Sequence, residues 1–201
     1  GIYCNEESAI KAVLKKTGYT YLTDADIVSK AGALSDLPET KIAKALSGKP
    51  SVFNQFTHER ERSLAYLKLS VAETLTADNI LINGFTSLLI PPGIEHVLRI
   101  WLIADMKYRV SLARSSGTSE NEALKAIHKS DEDRMSWTKS ILERDDPWNI
   151  SMYDMVLPTD NMSPEEIANL VEKTLERDIL KASANSEKAV ENFILASRVE
   201  I

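Results

Sequence analysis

The chain has 201 residues, of which 43% are apolar and 27% charged, with a net charge of −6. That length and balance suit one soluble α/β domain, or one domain with a short appendage. The acidic balance and low aromatic content argue against general nucleic-acid binding, which needs a basic face or a stacking platform. Apolar runs fall well short of the ~20 residues of a membrane span, and the opening Gly1-Ile2-Tyr3-Cys4-Asn5 lacks the basic segment of a secretory signal. A single cysteine, Cys4, excludes an internal disulfide framework and suits a reducing, cytoplasmic setting. Three scattered histidines and one cysteine give no metal-ligand spacing.

In chain order, residues 1–4 are expected to end a strand. Residues 8–16 read as a helix stopped by Gly18 at the position that favours a left-handed backbone. Residues 19–22 are extended, and Thr23 and Asp24 are N-caps for a helix to about Ala31. Ser35 or Asp36 caps the next helix, with Pro38 in its first turn and Gly48 past its end. Thr57 opens a long helix to about Thr76, with Leu64, Leu67, Val71 and Leu75 on one face. The run Asn79-Ile80-Leu81-Ile82-Asn83 and the run 96–104 lack alternation, the pattern of parallel strands covered on both faces. Helical patterns follow each run, which favours an α/β layout. Ser119 with Glu122, and Ser163 with Glu166, are capping boxes that open two further helices, the second reaching about Leu180. Residues 153–157 read as a last strand. Residues 183–186 read as a linker, and 187–201 as an amphipathic helix. There is no internal repeat and no low-complexity segment.

The first eight residues invite comparison with a phosphate-binding loop, G-x-x-x-x-G-K-S/T between a strand and a helix. In that pattern glycines let backbone N–H groups wrap the phosphates, the lysine neutralises them, and the hydroxyl binds Mg²⁺. Gly1 and Ser8 fall at the matching ends. Glu6 stands at the second glycine and Glu7 at the lysine. Two carboxylates there are hostile to a triphosphate, because like charges about 4 Å apart repel by ~1 kcal/mol in water and more in a cleft. Glutamates in a first helical turn also have a plainer use, complementing the helix dipole by about 0.3–1 kcal/mol each.

From about Thr17 to Leu180 the chain resembles the cytidylate-kinase-like family. The resemblance is carried by Thr17-Gly18-Tyr19-Thr20-Tyr21, Phe53-Asn54-Gln55-Phe56-Thr57-His58-Glu59-Arg60-Glu61, the stretch 93–104, and Tyr108-Arg109-Val110. It continues through 119–124, Asp131-Glu132-Asp133-Arg134, 153–157 and 162–166; the order and spacing of these pieces are more specific than any one of them. The resemblance implies a P-loop-kinase-like three-layer α/β/α fold with a doubly wound parallel sheet, a helical lid and a nucleoside monophosphate site. It also implies transfer of the γ-phosphate of ATP to CMP or dCMP with Mg²⁺, a reaction that rests on positioning and charge neutralisation.

Carried over residue by residue, Asp131 and Arg134 resemble the family's Asp-x-x-Arg element, which serves the acceptor nucleotide and the transferred phosphate. Arg109 and Arg114 fall near the lid, where arginines close over phosphates, a task suited to the bidentate guanidinium. Arg60 and Arg62 fall near the region that contributes to the monophosphate site. Two features depart from the family: the glutamates of the first loop, and Gly84-Phe85, where the family often carries Gly-Arg after a strand.

Each candidate also has a structural reading. Asp131 and Arg134 are spaced i, i+3 on a helix and can form a surface pair worth ~0.2–0.5 kcal/mol. Arg109, Arg114, Arg60 and Arg62 can be solvated helix residues. Arg99 either pairs internally or faces the cleft. Trp101, Trp137 and Trp148 read as packing, and His58, His96 and His128 show no partner pattern for acid–base or nucleophilic work.

The expectation is therefore a cytidylate-kinase-like domain over 1–182 that is catalytically impaired and acts as a nucleotide-sensing or regulatory module for a CMP-like ligand. Residues 183–201 would be a linker and helix leading to an adjoining output domain. The alternatives are an active ATP- and Mg²⁺-dependent CMP/dCMP kinase, and a ligand-free structural or partner-binding module.

Overall fold

A computed structural model describes residues 1–46 and 58–201. The motif residues Phe53 to Thr57, the helix end expected at Gly48 and the helix start expected at Thr57 lie outside them. The chain is mixed α/β and divides into two compact units. One comprises Gly1–Gly18 with Val97–Leu180, the other Tyr19–His96 with Lys181–Ile201. No helix among the described residues is long and apolar enough to cross a membrane.

The first unit opens with a loop, where a strand end was expected over residues 1–4. Tyr3 has φ 58°, and Asn5 just after the segment φ 50°; left-handed backbone at Tyr3 is incompatible with a strand there. Helix α1 (Glu6–Thr17) follows, with Glu6 and Glu7 in its first turn and Lys15 and Lys16 in its last, both in the sense the helix dipole favours. Gly18 stops it at φ 68°, donating its N–H to the Leu14 carbonyl at 2.9 Å. Strands β3 (Ile100–Ile103) and β4 (Met155–Pro158) pair in parallel, from Ile100 opposite Met155 to Ile103 opposite Pro158. The two strands hold only the C-terminal part of the apolar run 96–104 and the end of 153–157. Thr159 closes the pair, its N–H and hydroxyl both donating to the Ile103 carbonyl.

Helices α5 (Met106–Ser115) and α6 (Glu120–Leu142) pack together between these strands in sequence. The Asp105 side chain caps α5 by accepting from the Tyr108 N–H, and the expected box of Ser119 with Glu122 caps α6. Trp137 and Ile127 of α6 are fully buried, the packing role read for Trp137. Helix α7 (Pro164–Leu175) begins at the box of Ser163 with Glu166 and lays Ile167, Ala168 and Val171 inward, where the unit packs it on α1. It ends five residues before Leu180, the remainder including a short 3₁₀ turn over Asp178–Leu180.

In the second unit β1 (Thr20–Thr23) pairs in parallel with β2 (Ile80–Asn83). Thr23 and Asp26 form a capping box on α2 (Asp24–Leu34). Helix α3 (Glu39–Ala45) starts one residue after Pro38, with Pro38 itself at the N-cap, not Ser35 or Asp36. The reason is local: a residue before proline is pushed out of helical backbone, so Leu37 cannot lie in the first turn.

Helix α4 (Glu59–Thr74) is the centre of this unit, contacted by α2, α3 and α8 (Ala184–Val199). Leu67 and Val71 are fully buried as the apolar face requires, while Leu64 and Leu75 are half-buried. Ser63, Ala65, Ala72 and Thr74 are buried as well, because neighbours cover α4 on several sides and no single stripe describes it. The expected linker 183–186 is instead the N-cap and first turn of α8, with Ser183 and Ser186 in a reciprocal cap. Val190 and Phe193 are buried on α8, and Lys68–Glu200 and Glu73–Arg198 ion pairs at 2.6 and 3.2 Å join it to α4.

Candidate functional site

The residues singled out in the first loop, Arg109, Arg114, Asp131 and Arg134 all lie in the first unit, and the structure joins three of these regions at Arg109. The side chain projects from the first turn of α5 and is 10% exposed. Its Nε donates to the Ile2 carbonyl at 3.0 Å. Its Nη1 and Nη2 donate to Asp131 Oδ2 and Oδ1 at 3.0 and 3.1 Å. This is a fork-to-fork pair, the geometry that lets arginine grip a carboxylate or a phosphate with two parallel bonds. Asp131 comes from α6, three turns past the Ser119 cap, so the α5–α6 packing sets the pair. The guanidinium also lies against the backbone of Gly1: a Cβ there would fall 3.0 Å from Nη2. Arg109 is thus no solvated helix residue, and Asp131 has a partner from another helix.

Arg134, one turn beyond Asp131, lies at the Tyr153 phenol. Burial pushes the Tyr153 pKa up, and the nearby Arg134 charge and hydrogen bond pull it partly back. The phenol donates to the Pro147 carbonyl at 3.1 Å, and its ring stacks on Trp101 at 5.2 Å. Tyr153 was read only as the start of a strand; its hydroxyl is the part that sequence pattern did not reveal. Arg99, for which two roles were open, is half-buried. Its Nη1 donates to the Val97 carbonyl at 3.1 Å, and its backbone N–H donates to the Asp154 carboxylate at 2.7 Å.

The rest of the loop is more open. Glu7 and Ser8 are exposed. Lys11 bonds the Glu7 carboxylate at 2.6 Å and holds its pKa below the usual range. Asn5, at the N-cap of α1, makes no side-chain cap. Arg114 is exposed and lies 3.7 Å from Glu120. The two line a shallow groove of about 610 Å³ between α5 and α6, together with Lys107, Val110 and Ser111.

Arg60 and Arg62 belong to the second unit, on α4. Arg62 pairs with Asp36 at 3.1 Å on the surface. Arg60 is partly buried, and that burial lowers its pKa. The same unit holds Gly84 and Phe85. Here the Asp24 carboxylate accepts from the Phe85 and Thr86 N–H groups, both at 2.9 Å, and from the Thr86 hydroxyl at 2.7 Å. Asp24 therefore does more than begin α2: it ties that helix to the turn after β2. Among the described residues no group of three or more His, Cys, Asp or Glu side chains is placed to hold a metal.

A family model matches residues 3–161, described as the cytidylate kinase-like family. The match begins earlier than the resemblance read at Thr17 and ends before α7. No curated protein matches the chain. With the match covering well over half of the residues, including Arg109, Asp131 and Arg134, the chain belongs to the cytidylate kinase-like family.

Proposed function

We propose that this domain binds a CMP-like nucleoside monophosphate as a sensor and does not transfer phosphate from ATP. Membership of the family makes it a kinase-like, nucleotide-binding domain. The finer reading rests on one observation. Where a triphosphate loop places its lysine, the matching register places Glu7, and that carboxylate is bound to Lys11 within α1. The residues present do not fit the triphosphate group: Glu6 and Glu7 add negative charge where phosphates need cations. The exposed Ser8 hydroxyl alone is a poor site for Mg²⁺, which is held through carboxylates together with the phosphates it bridges.

The monophosphate side keeps more of what it needs. Arg109, Asp131 and Arg134 are gathered in one unit, and Arg114 lines the adjacent helical groove. Arg60 and Arg62 remain candidates on α4. A sensor would pass its state to an adjoining domain, in a cytoplasmic protein.

Titration calorimetry with CMP, CDP, ATP and Mg²⁺ tests this reading. Binding of CMP without ATP supports it. Turnover of CMP by the purified chain sinks it in favour of an active kinase. Absence of binding by every nucleotide leaves a structural or partner-binding module.

A further inference from the structure

We propose that Asp131 is an internal competitor for phosphate, occupying the anion position of Arg109 and releasing it only when a phosphate group takes over both bonds. The inference rests on the reading of Arg109 as a phosphate contact. Two facts carry it. First, all three nitrogens of the Arg109 guanidinium are engaged: Nε by the Ile2 carbonyl, Nη1 and Nη2 by the two Asp131 oxygens. Second, the side chain is 10% exposed, so little open face remains for an incoming anion. Arginine recognises carboxylate and phosphate by the same paired geometry. A phosphate that grips the Nη1–Nη2 edge with two parallel bonds must therefore displace Asp131.

The consequence is opposite in sign to that of a carboxylate that helps to hold the ligand. Removing the Asp131 charge strengthens phosphate binding, because the competing anion is gone and the Arg109 charge is left without its partner. Displacement also frees Asp131 on α6 while Arg109 keeps its bond to Ile2. The exchange thus couples ligand arrival to the α5–α6 pairing, which is what a sensor needs at its binding site.

The test uses the whole chain with inorganic phosphate alone as the probe. Asp131→Asn keeps the side-chain shape and an acceptor oxygen but removes the charge. It is expected to lower the phosphate Kd by about tenfold, equivalent to ~1.4 kcal/mol. Adding Arg109→Gln to that variant is expected to cancel the gain. An unchanged or weaker affinity in Asp131→Asn overturns the proposal. Where that variant fails to fold, the unmodified chain decides by carbon-13 NMR. Phosphate is expected to shift the Asp131 carboxyl resonance toward that of a free side chain, and a resonance unmoved by phosphate overturns the proposal. A parallel CMP titration separates the two readings. Tighter phosphate binding with no CMP binding keeps the competitor and removes the nucleotide sensor. CMP binding that weakens in Asp131→Asn keeps the sensor and removes the competitor.

Discussion

Gly84 lies so close to Asp24 that a Cβ built on its backbone would fall 2.2 Å from the Asp24 carboxylate oxygen. Gly84 also has φ 139°, a backbone region closed to other residues. The carboxylate has no easy retreat, since three hydrogen bonds from Phe85 and Thr86 fix it. Gly84→Ala must strain the backbone and displace Asp24 together. It is expected to cost about 2–4 kcal/mol, measured as a lower denaturant midpoint with an unchanged slope. Asp24→Asn is expected to destabilise less, because an amide oxygen can still accept.

The last helix gives a contrast between its two faces. Phe193 is 9% exposed and Leu195 63% exposed on the same helix. Phe193→Ala is expected to cost about 3 kcal/mol by leaving a cavity. Leu195→Ser is expected to stay within ~0.5 kcal/mol of the parent. Equal losses from the two changes would contradict the packing of α8 on α4.

The three capping boxes that hold a carboxylate, among the described residues, predict an acid limb in stability. The Thr23, Ser119 and Ser163 hydroxyls, and then their backbone N–H groups, hydrogen-bond Asp26, Glu122 and Glu166 and lower their pKa values. A carboxylate depressed on folding stabilises the fold above its unfolded pKa, and that contribution is lost as pH falls through the folded value. Stability is expected to fall below about pH 4.5, the ordinary range of these groups. Glu166→Gln removes one titrating cap, so its melting temperature should fall less steeply with acid than that of the parent.

The first loop supplies a gain-of-function test. Glu6→Gly with Glu7→Lys restores a flexible backbone and a cation at the register of a triphosphate loop. The double change is expected to confer measurable ATP affinity in calorimetry, at a small cost to α1 from the lost, fully exposed Glu7–Lys11 pair. An ATP affinity that does not move would mean that the loop register is wrong.

Much of the fold was legible because its signals are local. Gly18 ended α1, and Thr23, Ser119 and Ser163 opened their helices, because each acts on the backbone within one turn. The misses had different causes. Residues 1–4 carry weak local preference, and Arg109 of another helix bonds the Ile2 carbonyl. Residues 183–186 do carry a local cap, but Ser186 stands where the legible boxes have a carboxylate. The apolar run 96–104 marked a strand but not its length, since apolar residues outside a ladder look the same as those inside it.

The candidate site divides the same way. Sequence alone named Arg109, Asp131 and Arg134, from residue type and from resemblance, and it fixed the charge of Glu6 and Glu7. It could not say that Arg109 would take Asp131 and not solvent, because the two are 22 positions apart and meet only when α5 packs on α6. Nor could it join Asp24 to the turn after Gly84, 61 and 62 positions from its two N–H donors. Composition and short-range spacing determine which groups a chain possesses. Tertiary packing alone decides which of them neutralise one another, because a charge pair is a property of distance in space and not along the chain.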